Sequence, residues 1–450
     1  MRSTAVFPRH TASDLPIAVA GDGPYLIDAD GARYLDACGG AAVSCLGHSA
    51  ARVADAAAAQ LQRMPFAHTS FFTSEPAEAL AETLVSLAPP GIERVYFVSG
   101  GSEAMEAAIK LARQAHLEQG APSRTEIIAR RQSYHGNTLG ALAAGGNEWR
   151  RAPFAPLLAS AFHHIEPCHY WRWAEPGETP EAYGRRTADA LETKILELGP
   201  DRVAAFLCEP VVGATMGAVP PAPGYLKRIR EICDRYGVLL IFDEVMCGMG
   251  RTGALFACEQ DEVAPDIVCI AKGLGAGLQP IGAMLCSGAL YNAVAAGSGF
   301  FQHGHTYLGH AAACAAGLAV LAEIKERDLL AAVRRQGAAL RQALEARFAE
   351  HPFIGDIRGR GLFLGLELAL DRGAKTPFPP SLKLAGAIKK RAMAKGLMCY
   401  PMSGSIDGAN GDHILLAPPF IIEAAHIEEI VDKLSAALDE AIAATGAAAA

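Results

Sequence analysis

Three residues of this chain have the types and settings to do chemistry together: Asp243, Lys272 and Ser102. Asp243 follows the apolar, β-branched run VLLIF (238–242) and leads, through Glu244, into the glycine-rich stretch VMCGMGRTG, which cannot hold a regular element. Lys272 follows a second such run, DIVCIA (266–271), and precedes GLGAG. Each charge stands where a buried strand stops. In a parallel sheet those stops share one edge, so an acid and an amine open into a single crevice. SGGSE (99–103) falls between the strand-like VYFV and a long helical pattern. Its glycine N–H groups, the Ser102 hydroxyl and the helix N-terminus would together seat a phosphate. SYHGNT (133–138) follows another strand and offers Tyr134 and His135 to a planar ligand. Taken singly, each feature has an ordinary explanation. Asp begins turns, Gly-Ser caps helices, a strand-end lysine is commonly a solvated charge, and a tyrosine beside a turn commonly packs in a core.

One cofactor uses all of these parts. Pyridoxal 5'-phosphate needs a lysine amine for its carbonyl carbon, a carboxylate that keeps its pyridine nitrogen protonated, and a cradle for its phosphate. Asp243 then has its cation, the pyridinium, and that pair favours the protonated, electron-withdrawing ring in a low-dielectric site. HGHTY (303–307) adds the Thr306 hydroxyl and two histidines at i, i+2. No cysteine or carboxylate lies nearby at ligand spacing, so zinc is not expected.

The elements that must position these residues form a regular rhythm. Candidate strands VYFV (95–98), EIIAR (126–130), VAAFLCEP (203–210), VLLIF, DIVCIA and GAMLCS (282–287) alternate with amphipathic helical patterns such as SEAMEAAIKLARQAH (102–116). That alternation predicts βαβ units and a mainly parallel sheet. At the N-terminus, YLIDADGARYLDA predicts two short strands around an Asp30-Gly31 turn. From about residue 316, long helices flank RGRGLFLGLEL and predict a smaller α+β domain, shared with the N-terminal region. The expected division is residues 1–60 and 316–450 in the small domain and 61–315 in the large one. HYWRWAEPGETPEAYGRR (169–186) reads as a surface excursion and ATGAAAA at the C-terminus as a frayed end.

Composition narrows the class further. Of 450 residues, 51% are hydrophobic and 20% charged, as in a globular enzyme rather than a disordered chain. A formal net charge of −8 argues against nucleic acid as a partner. Eleven cysteines, none in a CxxC pair, read as reduced, buried small hydrophobes of a cytoplasmic protein. No signal-peptide core and no run long enough to span a membrane is expected.

The chain resembles the class III aminotransferases, the subgroup of fold type I pyridoxal-phosphate enzymes that includes ω-amino acid and amine transaminases. The likeness runs from YLIDADGARYLDACGG through SGGSEAMEAAIKLAR, SYHGNT, EPVVG, PGYLKRIREICDRYGVLLIFDEVMCGMGRTG and PDIVCIAKGLGAG to HGHTYLGH, RGRGLFLGLEL and ILLAPPF. It implies an α/β fold type I transferase with a mainly parallel central sheet, helices on both faces and a smaller α+β domain. It also implies a homodimer and transfer of an amino group from an ω-amino acid or amine to a 2-oxo acid such as pyruvate. Lys272 would carry the cofactor as a Schiff base and then move the proton, and Asp243 would hold the ring nitrogen. Val245 and Tyr134 would cover the two ring faces, Gly101 and Ser102 would bind the phosphate, and His135 would lie near the ring hydroxyl. Thr306 would reach the phosphate of the partner subunit.

One position departs from the pattern. In many relatives the glutamate matching Glu209 pairs with a C-terminal arginine that binds a substrate α-carboxylate, but no arginine follows Arg391. Arg131, Arg358 and Arg360 are the substitutes to consider; alternatively Glu209 faces an amine. The small residues of ACGGAAVSC (37–45) would leave room for a bulky or long substrate, and Phe71 and Phe72 would either line the same pocket or pack in the core. The same scaffold also supports lyases, racemases, mutases and decarboxylases, so these remain alternatives. A non-enzymatic scaffold would have lost its cofactor residues, whereas Lys272, Asp243, Ser102 and Thr306 all stand.

Overall fold

The computed structural model describes residues 5–11 and 13–446. The last four residues of the expected frayed tail, and the first four of the chain, lie outside them. Seven strands form the central sheet, in the spatial order Ile92–Val98, Gly282–Ser287, Ile267–Ile270, Leu239–Asp243, Val203–Cys208, Glu126–Arg130, Phe162–Ile165. The period of two along each strand divides the core into two layers. Phe206, Cys208, Leu240, Phe242, Val268 and Ile270 face the helices Pro180–Leu198 and Tyr225–Tyr236. Their alternates Ala205, Leu207, Ile241, Ile267 and Cys269 face the helix Gly101–Glu118 through Ala104, Ala108, Leu111 and Ala115. Both faces are therefore covered, which is why these strands read as continuous apolar runs.

Six of the seven strands run the same way. Gly282–Ser287 is the exception, antiparallel to both of its neighbours. The reason is the short connection that precedes it. A parallel return needs a crossover of a dozen or more residues, and only residues 271–281 separate this strand from Ile267–Ile270. The edge strand Phe162–Ile165, sequence FHHI, was not anticipated, because its two central histidines break the apolar run.

Two four-stranded sheets lie outside the central one. In the first, Tyr25–Asp28 and Arg33–Asp36 form the expected hairpin. Asp28 Oδ1 accepts from the N–H groups of Asp30 and Ala32 to shape its turn. The C-terminal strand Leu397–Met398 pairs parallel with Arg33–Asp36, so the two ends of the chain share this sheet. The second sheet has the order Ile354–Arg360, Phe363–Leu368, Asp412–Leu416, Tyr400–Ser403. The stretch 169–186 is more than a surface excursion. Thr179 caps the helix Pro180–Leu198, with a proline in its first turn. Arg172 pairs with the buried Glu367 of the second small sheet at 2.9 Å, which ties the two regions together. Among the described residues, no helix is long and apolar enough to cross a membrane.

Candidate active site

The carboxyl ends of the parallel strands border a cavity of about 390 Å³. Five strands contribute what their ends carry: Ser99 to Ser102 after Ile92–Val98, Tyr134 to Gly136 after Glu126–Arg130, and Glu209 after Val203–Cys208. Asp243 closes Leu239–Asp243, and Lys272 follows Ile267–Ile270. Lys272, Asp243, Glu209, Tyr134, His135, Val245, Gly101 and Ser102 thus line one cavity.

Asp243 is held in place by the protein's own groups. Its Oδ1 accepts from the Val245 N–H at 3.0 Å, and its Oδ2 meets His135 Nδ1 at 2.8 Å. His135 is 2% exposed, and its other ring nitrogen has no partner among the described residues. Glu244, the other acid of the pair, points into scaffold. Its oxygens accept from the N–H groups of Ala257 and Cys258, and burial raises its carboxyl to about 7. Adjacent acids on a strand face opposite ways, so one serves the cavity and the other a loop.

Lys272 has a φ of 46°, a left-handed conformation that a non-glycine residue adopts only where its surroundings enforce it. Burial lowers the pKa of its amine, and the Asp243 and Glu209 carboxylates oppose that shift. Glu209 is 4% exposed, and burial raises its carboxyl. Its Oε1 accepts from the Gly213 N–H at 3.1 Å, while Oε2 has no partner among the described residues.

A phosphorylated flat ring fits these surroundings. The helix Gly101–Glu118 begins at the cavity wall, and the Ser102 hydroxyl is oriented by Asn137, which bonds it through both Oδ1 and its backbone N–H. A methyl group at Gly101 would approach Val245 Cγ1 to 2.8 Å, so the phosphate loop and the residue beyond Asp243 pack as one surface. Asn137 stands inside the quoted SYHGNT block, yet nothing in its type distinguished it from an ordinary turn residue. Gln279, Pro280 and Ile281 also line the cavity, brought there by the short return that makes the next strand antiparallel. No signal in the sequence pointed to them.

The remaining expected residues lie elsewhere. Thr306 is exposed and does not line the cavity. Its loop is anchored beside the phosphate seat, with His305 Nε2 at 2.9 Å from Ser99 Oγ. Phe71 and Phe72 are 79% and 69% exposed, so neither packs in the core of this chain. None of the three arginines considered for a carboxylate reaches the cavity. Arg131 pairs with Glu166 at the surface, and Arg360 pairs with Asp261. Arg358 is buried, donating to the carbonyls of Met216 and Gly217 and pairing with Glu367 at 2.7 Å. Among the described residues, no group of His, Cys, Asp and Glu is arranged to hold a metal ion.

Fold and site together define a pyridoxal-phosphate enzyme. Residues 8–438 match the family model for class III aminotransferases. An uncharacterized aminotransferase of Schizosaccharomyces pombe is 44% identical over 396 residues, covering 87% of this chain and 85% of that protein. The diaminobutyrate–2-oxoglutarate transaminase of Halomonas elongata is 36% identical over 395 residues, covering 87% and 83%. Among solved structures, the ω-transaminase of Pseudomonas jessenii in complex with PMP superposes with a TM-score of 0.92 at 32% identity, covering 99% of this chain and 98% of that one. The chain belongs to the class III aminotransferase family. It is an aminotransferase with pyridoxal 5'-phosphate as its cofactor, and its fold is that of the fold type I enzymes.

Proposed function

We propose that this aminotransferase takes its amino group from an ω-amino acid or primary amine and gives it to a small 2-oxo acid such as pyruvate. The observation that carries the reading is the convergence of Lys272, Asp243 and the N-terminus of the helix Gly101–Glu118 on one cavity. The cofactor, when bound, supplies the electron sink that makes the bond at the amine carbon labile. Lys272 would hold the cofactor through its amine, and that amine is the group placed to move a proton at the substrate carbon. Burial lowers its pKa, the direction that helps an amine act as a base. Asp243 stabilises positive charge on the ring nitrogen, and His135 fixes the carboxylate that does so. Tyr134 and Val245 would flank the ring, and Gly101 and Ser102 would bind the phosphate.

The site is completed in a homodimer, in which Thr306 of each chain reaches its partner's phosphate seat; its exposure here, outside its own cavity, supports this reading. The large domain comprises 61–315, and the small one is assembled from 1–60 and 316–450. Pairing of Leu397–Met398 with Arg33–Asp36 favours that division. A cytoplasmic setting is supported by eleven free, buried cysteines. Adding ω-amino acids, arylalkyl amines or polyamines to the holoenzyme should convert the cofactor's absorption from the pyridoxal to the pyridoxamine form, and pyruvate should restore it. No conversion with any amine would overturn the reading.

A further inference from the structure

Two neighbouring arginines on one short helix are used in opposite ways. The helix Glu148–Arg151 follows the loop that carries Tyr134 and His135. Asn147 caps it, accepting from the Arg150 N–H at 3.2 Å, and is itself buried and tied to Gln132 Oε1 at 2.8 Å. The helix is thereby fixed to the chain that leaves the strand Glu126–Arg130. Arg151 gives its guanidinium to scaffold, donating to the carbonyls of Ala143 and Gly145. Arg150 does not. Its Nε is buried without a partner, and its guanidinium pairs with no carboxylate among the described residues. The guanidinium rests instead 4.7 Å from the centroid of the Tyr134 ring. Tyr134 lines the cavity, so a cation without a counter-ion stands one side chain away from it. The loop Gly404–Gly411 backs the same helix, since a methyl group at Gly408 would approach the Trp149 nitrogen to 3.0 Å. That loop belongs to the stretch after Arg391 that holds no arginine.

We infer that Arg150 takes the carboxylate of the 2-oxo acid, turning from the Tyr134 ring toward the cavity when that anion enters. The inference rests on the acceptor reading above and deepens it by assigning the residue that selects the acceptor. Among the described residues no arginine lines the cavity, and its one lysine, Lys272, is taken up with the cofactor. An entering carboxylate therefore needs a cation from just outside. Arg131, Arg358 and Arg360 are committed to Glu166, Glu367 and Asp261, and Arg151 to carbonyls. Arg150 is left. A guanidinium offers a carboxylate two parallel N–H donors, a stronger contact than the ring face it leaves. An amine without a carboxylate gives it no reason to move, so one site serves a charged acceptor and such a donor alike. The cofactor's phosphate is the other anion of the site. Gly101 and Ser102, at the head of the helix Gly101–Glu118, are placed for it, which leaves Arg150 to the substrate.

The test follows the pyridoxamine form of the holoenzyme as it returns to the pyridoxal form, with pyruvate and with propanal, an acceptor that lacks the carboxylate. In Arg150→Gln the second-order rate constant for pyruvate should fall at least ~10-fold, as for a lost hydrogen bond to a charge, and that for propanal should stay within about twofold. Arg150→Lys should recover part of the pyruvate rate, because it keeps the charge without the planar fork. On the native pyridoxal form, pyruvate should slow the modification of Arg150 by phenylglyoxal, read by mass mapping, and propanal should not. That arm decides the matter even if a variant does not fold. An unchanged pyruvate rate in Arg150→Gln overturns the inference. So does an equal loss with both acceptors, which, with weaker retention of the cofactor, would give Arg150 to the phosphate. Either outcome leaves the acceptor reading standing, whereas a native pyridoxamine form that pyruvate does not convert would defeat that reading itself.

Discussion

Asp243 and Glu209 end adjacent parallel strands in matching register, and both are 4% exposed, yet the protein treats them differently. Around Asp243 the chain supplies a backbone N–H and a buried imidazole, so protein groups orient both carboxylate oxygens. Around Glu209 it supplies one N–H and stops. The first arrangement suits a cation that stays through every turnover, and the second leaves one oxygen of a buried carboxyl without a partner among the described residues. Preorganisation is spent where the partner is permanent.

The strongest way to break this comparison is to remove the amine that shares the cavity with both acids. Lys272→Ala should lower the rate of cofactor conversion by amines at least ~10⁴-fold, the upper range for a lost acid–base group. A far-UV circular dichroism spectrum should remain native. Next, Asp243→Asn should cost about 10²–10³-fold in kcat, because the ring loses its fixed counter-charge. A variant near wild-type activity would move the ring-nitrogen role elsewhere.

Arg358 sharpens the contrast from outside the cavity. Its guanidinium holds the carbonyls of Met216 and Gly217, in the loop that also presents Gly213 to Glu209. Arg358→Ala should cost about 3–5 kcal/mol in urea unfolding, since a buried charge network loses a partner. The ratio of activities on carboxylate-bearing and neutral amines should not change. A selective loss on carboxylate-bearing amines would restore Arg358 as a substrate residue.

Glu244 gives a smaller, pH-dependent effect. Its carboxyl is raised from 4.5 to about 7 by burial, so the folded chain binds more protons than the unfolded chain between those values. Its contribution to stability is complete below pH 4.5 and is lost as pH rises through 7, by about 3 kcal/mol. Urea unfolding from pH 5 to 8 should show this slope in the native protein and lack it in Glu244→Gln. Smallest of all, Arg131→Ala removes an exposed pair with Glu166 and should change stability by under ~1 kcal/mol and leave amine selectivity alone.

What the sequence made legible was what strand ends dictate. Asp243, Lys272 and Glu209 each follow an uninterrupted apolar run, and a run buried on both faces has only its end to offer a ligand. The seat at Ser102 was legible only beside those strand ends, since Gly-Ser before a helix also serves as an ordinary cap. Partners were not legible. His135 and Asp243 are separated by 108 residues, and nothing local in SYHGNT says which acid its imidazole meets. The arginines were least legible of all. A long side chain can serve a surface, a loop or a ligand, and Arg131, Arg358 and Arg360 were sorted among these by carboxylates and carbonyls brought near only by the fold. The reversed strand Gly282–Ser287 was readable in principle, because the length of the connection before it already forbids a parallel return.

The account depends most on which amine holds the cofactor. Borohydride reduction of the holoenzyme, followed by proteolysis and mass mapping, fixes the cofactor to the nitrogen that carries it. The peptide containing Lys272 should bear the added mass in near-stoichiometric yield; the same mass on any other lysine would contradict the site described above.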